Sequence, residues 1–275
     1  MPARTPERIV CLTEESTETL YLLGEERRIV GISGYTVRPA RARKEKPRVS
    51  AFLSAKNEKI LELRPDLVIG FSDLQADIAR DLAKAGLNVL IFNQRSVQQI
   101  LDTILALAAL VGATDKGIRL IQELEAGLAQ IRQAASRFPR RPKVYFEEWD
   151  EPMISGIRWV SELIEIAGGE DVFAAQSHSQ AASGRIIQDS TEVIRRKPDI
   201  VIGSWCGKKF RPERVAARPG WDAIPAVREN QLFEVKSADI LQPGPAALTD
   251  GVRQIHEILT RSSSRASGTP ARAAR

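Results

Sequence analysis

Two cysteines and two histidines among 275 residues leave little material for covalent cross-links or metal chemistry. Cys11 sits in an apolar run and Cys206 follows a tryptophan, with no motif spacing around either. That pattern argues against a disulfide scaffold or a Cys-rich metal site, and two free thiols are expected. His178 lies in a polar loop and His256 in a late helical stretch; neither has a companion at triad or metal-ligand spacing. No catalytic residue and no metal ligand is assigned. Long apolar runs are missing too. The richest, ILDTILALAALVG at 100–112, is too short to cross a membrane and carries Asp102, so it reads as a buried helix. The first residues, MPARTPERIVCLTEES, show no apolar leader, either as a secretory signal or ahead of Cys11 as a lipoprotein anchor. The chain as written is expected in the cytoplasm, or in the periplasm if its start is mis-set or trimmed.

What is present suits a soluble globular protein: 43% hydrophobic and 27% charged residues, in a length that fits one large domain or two lobes. The net charge of +5 is unevenly placed. The stretch TVRPARARKEKPR (36–48) holds six Lys or Arg against one Glu, and the tail SSSRASGTPARAAR (262–275) adds three Arg. The remainder is slightly acidic. No basic patch interleaved with aromatics is seen, and nucleic acid is not an expected partner. The tail, built only of Ser, Arg, Ala, Gly, Thr and Pro, is expected to be disordered.

Short apolar strands alternate with helical stretches along the chain. RIVCL precedes the helical TEESTETLYLLG, where Thr13 suits an N-cap and Glu14, Glu15 and Glu18 suit the positive end of the helix dipole. The eight residues LRPDLVIG (63–70) return as RKPDIVIG (196–203): a proline that stops a helix, an aspartate, a buried strand and a glycine. Between the copies, apolar residues at helical spacing predict one long helix over 113–138. The fold class is therefore α/β: two doubly wound lobes with central parallel sheets, joined by one long linking helix. The boundaries are an N-terminal lobe at 1–112, the linking helix at 113–138, a C-terminal lobe at 139–261 and the tail at 262–275.

The motifs ERIVCLTEESTETLYLLGEERRIVGISGY, NEKILELRPDLVIG, SELIEIAGGEDVF and TEVIRRKPDIVIG, in that order, carry a family resemblance. The chain resembles the ABC-transporter substrate-binding proteins for cobalamin and ferric siderophores, whose two lobes share one rigid helix. It looks most like the cobalamin-binding branch. That resemblance implies a protein without catalytic activity that clamps a cobalamin-like corrinoid, or a ferric siderophore or haem, between its lobes. It implies delivery to an ABC-transporter permease, with no intrinsic cofactor, no membrane span and a monomeric state. Two other readings stand beside it: a cytoplasmic carrier or sensor of a corrinoid or metal chelate, and a cytoplasmic corrinoid- or metal-handling enzyme using the acids at 147–151.

In an open parallel sheet, ligands bind at the carboxyl ends of strands, which draws attention to aromatics just past them. Phe71, Trp149 and Trp205 each follow an apolar strand. A large planar ligand is held mainly by apolar and aromatic contact, so these three and Trp159 are candidate ligand residues. Trp221 reads as packing. The resemblance adds Tyr35 and Phe52, matching a ligand-loop tyrosine and an aromatic that packs on the corrinoid. Glu147, Glu148, Asp150 and Glu151 form the sharpest acidic cluster, and Glu148 is included as a hydrogen-bonding ligand residue. The family's habit of one surface glutamate per lobe meeting the permease selects Glu58 and Glu192, both at the start of a helix.

Overall fold

The computed structural model describes residues 5–266. The chain divides into two compact units, with the division falling inside one helix, between Glu125 and Ala126. Two short segments cross the expected boundaries: Arg95–Val97 belongs to the second unit and Gln242–Ala246 to the first.

The first unit begins with β1 (Ile9–Cys11), α1 (Glu14–Leu22), β2 (Ile29–Ser33), α2 (Ala42–Glu45) and β3 (Arg48–Ser50). It continues with α3 (Asn57–Glu62), β4 (Leu67–Phe71), α4 (Ala76–Lys84), β5 (Val89–Phe92) and α5 (Val97–Leu110). Its five strands run parallel in the order β3-β2-β1-β4-β5. Alternation sorts the apolar side chains between the two faces. Ile9, Cys11, Ile32 and Ile69 pack with Leu20 and Leu107 in one core. Val10, Leu12, Val49 and Val68 pack with Ile60 and Leu82 in the other. The expected long helix is α6 (Thr114–Ala135), whose residues are shared by both units.

The second unit holds β6 (Lys143–Asp150), β7 (Met153–Ser155), α7 (Arg158–Ile166), β8 (Glu170–Asp171) and α8 (Ala174–Ser177). Then come α9 (Thr191–Arg196), β9 (Ile200–Gly203), α10 (Pro212–Ala216), α11 (Pro225–Arg228) and β10 (Leu232–Glu234). Last are α12 (Ser237–Ile240) and α13 (Val252–Ala266). The strand order is β10-β9-β6-β7, with β8 beside the first residues of β6. All pairings are parallel except β6 with β7, a hairpin turned at Glu151 and Pro152. So short a turn joins only antiparallel neighbours, which is why this sheet departs from the all-parallel expectation at one edge. Helix α13 reaches Ala266, five residues into the stretch expected to be disordered; 267–275 lie outside the described residues.

The doubled octapeptide has the same physical role twice. Arg64 and Lys197, directly before the prolines, adopt left-handed φ values of 46° and 49°. The following proline disfavours a helical conformation there and offers no N–H to continue the helix. The aspartate then reaches across to the neighbouring strand. Asp66 accepts the N–H groups of Glu7 and Arg8, at 2.7 and 3.0 Å, ahead of β1. Asp199 accepts Lys143 N at 2.8 Å at the start of β6, and both terminal nitrogens of Arg140. The glycines are required by close approach. A Cβ on Gly70 would lie 2.5 Å from Gln75 Oε1, and one on Gly203 would lie 1.9 Å from the Phe210 ring.

Each aspartate satisfies backbone donors that no other described group takes, so its loss strands them. Asp66→Ala and Asp199→Ala are each expected to lower stability by roughly 2 kcal/mol, read as a shift in the urea midpoint at constant slope.

Candidate functional site

In the first unit the carboxyl ends of the strands carry an unusual helix start. Nearly all of α1 is buried, including Glu14, Glu15 and Glu18 at 7, 5 and 8% exposure. Its hydroxyls are satisfied locally: Ser16 and Thr17 donate to the Thr13 carbonyl and Thr19 to that of Glu15. Thr13 sits at the N-cap but makes no capping bond; its hydroxyl donates to Glu15 Oε1 at 2.5 Å. Glu14 Oε2 accepts Val37 N at 3.2 Å. Glu18 pairs with Arg38 at 2.9 Å and accepts Ala246 N at 3.0 Å.

Burial pushes the carboxyls of Glu14 and Glu15 up to about 7. The Val37 N–H and Arg43 oppose the rise at Glu14, while Glu15 and Glu18 add to it. At Glu15 the Thr13 hydroxyl and the residue's own N–H oppose it, and Glu18 adds to it. Cys11 beside them is buried, and burial pushes its thiol up to about 12.

Around this helix start the loops after β2, β3 and β4 expose apolar side chains: Tyr35, Val37, Leu53 and Leu74. Gln75, fully buried, ties two of these loops together. Its Oε1 accepts Phe71 N and its Nε2 donates to the Phe52 carbonyl. A cavity of about 820 Å³ flanks β3, lined by Arg43, Lys46, Arg48, Lys56 and Lys59 with Gly34 and Ala51. It adjoins Tyr35 and Phe52 in sequence, yet neither aromatic lines it.

In the second unit the acids at the end of β6 are all engaged. Glu147, fully buried, accepts both terminal nitrogens of Arg218 at 2.5 and 2.9 Å, the Tyr145 hydroxyl and the Trp205 indole N–H. Glu148 pairs with both terminal nitrogens of Arg185, itself 2% exposed. Asp150 pairs with Lys208 and, at 3.8 Å, with Arg214, which also reaches Glu151 at 3.4 Å. Burial works against ionisation of Asp150, but Lys208 outweighs it and holds the carboxyl below its ordinary value. All four carboxyls are held by arginine or lysine in a packed network.

The positions of the expected ligand residues differ sharply. Tyr35 is 55% exposed and Phe52 half-buried. Phe71 is buried in the first unit. Trp149 is half-buried, its N–H on the Glu151 carbonyl and its ring under Lys208 at 4.0 Å. Trp205 and Trp159 are 2 and 3% exposed. Trp205 packs edge-on against Phe210 with centroids 5.0 Å apart, and Trp159 donates to the Ile240 carbonyl. As folded, those two indoles offer almost no face to a ligand. Trp221 is fully buried, its ring against Tyr145. Glu58 is exposed on α3, whereas Glu192 is held by Arg195 and Arg196 of its own helix. The cysteines form no disulfide, and His256 stacks on Phe138 while bonding the Ala167 carbonyl. Among the described residues, no group of three or more His, Cys, Asp or Glu is placed to hold a metal ion.

Sequence reasoning took Glu14, Glu15 and Glu18 only as dipole partners. The signal that separates them is adjacency: TEE follows directly on a fully buried strand, so the first turn has no water to reach.

The sequence that folds into these two α/β units matches a family model described as periplasmic binding protein, over residues 9–238. The chain belongs to the periplasmic binding protein family. Its relatives are substrate-binding proteins. The vitamin B12-binding protein of Vibrio cholerae is 25% identical over 257 residues, covering 90% of this chain and 87% of that protein. An uncharacterised ABC transporter substrate-binding lipoprotein of Bacillus subtilis is 23% identical over 263 residues, covering 92% and 80%. Among solved structures, the haem-binding protein RhuT of Roseiflexus sp. superposes with a TM-score of 0.75 at 25% identity, covering 92% of this chain and 99% of that one. A possible iron-binding protein of Staphylococcus epidermidis gives 0.80 at 20% identity, covering 93% and 99%, and shares the fold. In this periplasmic binding protein, among the described residues, no helix is long and apolar enough to cross a membrane.

Two outcomes follow from the charges. Arg218→Met leaves Glu147 buried without its cation and is expected to cost about 3–5 kcal/mol in thermal or urea unfolding. Glu14 and Glu15 titrate higher when folded than their ordinary 4.5, so the folded state holds extra protons between those values. The stability they support is complete below their unfolded values and is lost as pH rises through about 7. The unfolding free energy in urea is expected to fall between pH 5.5 and 8, by up to about 2 kcal/mol per carboxyl, and the fall to shrink in Glu15→Gln.

Proposed function

We propose that this protein binds a large planar metal chelate, a cobalamin-like corrinoid, and presents it to the permease of an ABC transporter. The relatives support the ligand class: proteins that cover most of this chain are named for vitamin B12 and for haem. The observation that carries the reading is the exposed apolar rim on the first unit. Tyr35, Val37, Leu53 and Leu74, with Phe52 half-buried among them, stand on loops that follow the carboxyl ends of β2, β3 and β4. Soluble proteins rarely leave such groups clustered, and strand carboxyl ends are where α/β folds take ligands. An aromatic face gains from a flat macrocycle what it cannot gain from water.

Tyr35 and Phe52 are the aromatics of this rim that receive the ligand. Trp149, half-buried, is the candidate ligand aromatic of the second unit. Phe71 is buried at the end of β4, Trp159 and Trp205 are packed inside the second unit, and Glu148 fixes Arg185. Glu58, exposed and without an ion-pair partner among the described residues, is the docking contact for the permease; Glu192 reaches a partner only by leaving its own helix's arginines.

Titration with cyanocobalamin, haem and a ferric hydroxamate, followed by absorbance and tryptophan fluorescence, tests the reading. Saturable binding of cyanocobalamin is expected, weakened roughly tenfold by Tyr35→Ala and by Phe52→Ala with circular dichroism unchanged. Absence of binding by all three compounds sinks it.

A further inference from the structure

The acids at the start of α1 are compensated unequally. Glu18 has Arg38 and the Ala246 N–H. Glu14 has one long bond from Val37 N, and Arg43 nearby. Glu15 has the Thr13 hydroxyl on one oxygen, while its other oxygen, Oε2, is fully buried and without a hydrogen-bond partner. Gly244 packs against the base of the Glu15 side chain so closely that a Cβ there would lie 2.5 Å from Glu15 Cβ.

Two further buried polar atoms of the first unit are unpartnered, and neither belongs to an acid. Thr36 Oγ1 precedes the Val37 N–H that bonds Glu14. Gln94 Oε1 belongs to the side chain that bonds Pro243, beside Gly244. A buried acceptor without a donor costs roughly 1–3 kcal/mol, so an orphan such as Glu15 Oε2 calls for a partner from outside the fold. All three accept hydrogen bonds; two of them, Glu15 Oε2 and Gln94 Oε1, are acceptors only unless the carboxyl is protonated.

We propose that the start of α1 is a subsite for a hydrogen-bond-donating edge of the ligand, a primary amide or protonated amine, received by Glu15 and Glu14. The inference rests on the macrocycle reading and sharpens it. A corrinoid bearing peripheral amides supplies such donors, whereas the carboxylates of haem would meet like charge. The charged and titratable groups around the subsite are Glu18, Arg38, Arg43, Cys11 and Lys46, from α1, the loop after β2, α2 and β1. The two cations nearest the carboxyls are already drawn to Glu18 and Glu14, which leaves Glu15 to the ligand. A donor seated on Glu15 favours its ionised form, so ligand uptake releases a proton. A ligand presenting a carboxylate there requires the reverse, a proton taken up.

Isothermal titration with cyanocobalamin and with haem, from pH 5.5 to 8 and in two buffers of different ionisation enthalpy, reads this directly. Cyanocobalamin is expected to bind with proton release and, for one released proton, to weaken roughly tenfold per pH unit below 7. In Glu15→Gln that pH dependence is expected to shrink, Glu14 remaining, and haem binding to improve. Ligand-free Glu15→Gln is also expected to melt higher than wild type at pH 8; a lower melting temperature overturns the unmet acceptor. Cyanocobalamin binding with no proton exchange, an unchanged pH profile in the variant, or binding of haem alone overturns the inference and leaves the macrocycle reading standing. If neither compound nor a ferric hydroxamate binds wild type, the macrocycle reading itself fails and takes the inference with it.

Discussion

Asp66 and Asp199 each stand just ahead of a strand whose residues are almost all buried, and each carboxylate takes N–H donors at the start of the strand beside it. Strands of this kind have no water to complete their hydrogen bonds, so the first unpaired donors at their ends must be met by the chain. The proline before each aspartate stops the preceding helix, and the left-handed residue before the proline turns the chain onto the sheet. Buried strands, their order and the placement of loops at their carboxyl ends all descend from that junction. Burial weakens the Asp199 carboxylate as an ion, but Arg140 and the Lys143 N–H outweigh it and hold its carboxyl below the ordinary value. At Asp199 the junction therefore keeps its charge to lower pH than an ordinary aspartate would.

The same repeat decides what happens four residues later. At Gly70 the missing Cβ admits Gln75, which fastens the Phe52 loop to the end of β4. At Gly203 it admits Phe210, which folds back over the strand and pins Trp205. One glycine ends in a polar tie that leaves neighbouring apolar groups exposed; the other ends in a packed aromatic cluster. Two units begun by one sequence device thus present different surfaces.

The sequence period made the strands and helices legible because buried parallel strands are short apolar runs, and α6 because its stripe lasts six turns. Three-residue β3 and β7 carried too few residues to show a period, and the β6–β7 hairpin hid inside a stretch read for its charge. Trp205 illustrates why residues past a strand were harder. Position placed it at a strand end, but the loop that follows decides whether an indole faces out or is covered, and that loop's path depends on Phe210 filling a gap made by a glycine. Tyr35, on a loop with no such filler, is exposed.

Charge compensation separates the two units most clearly. The acids from Glu147 to Glu151 drew attention as the densest cluster in the chain, yet each has an arginine or lysine within reach. Paired so, they fix loops and pack indoles, and their remaining appetite for a ligand is small. The acids of α1 looked ordinary for a helix start. Buried after a fully covered strand, with two of three carboxyls pushed up to about 7, they are the ones the chain has not finished satisfying. An unfinished set of acceptors among exposed apolar groups is a sharper mark of a ligand surface than the number of acids.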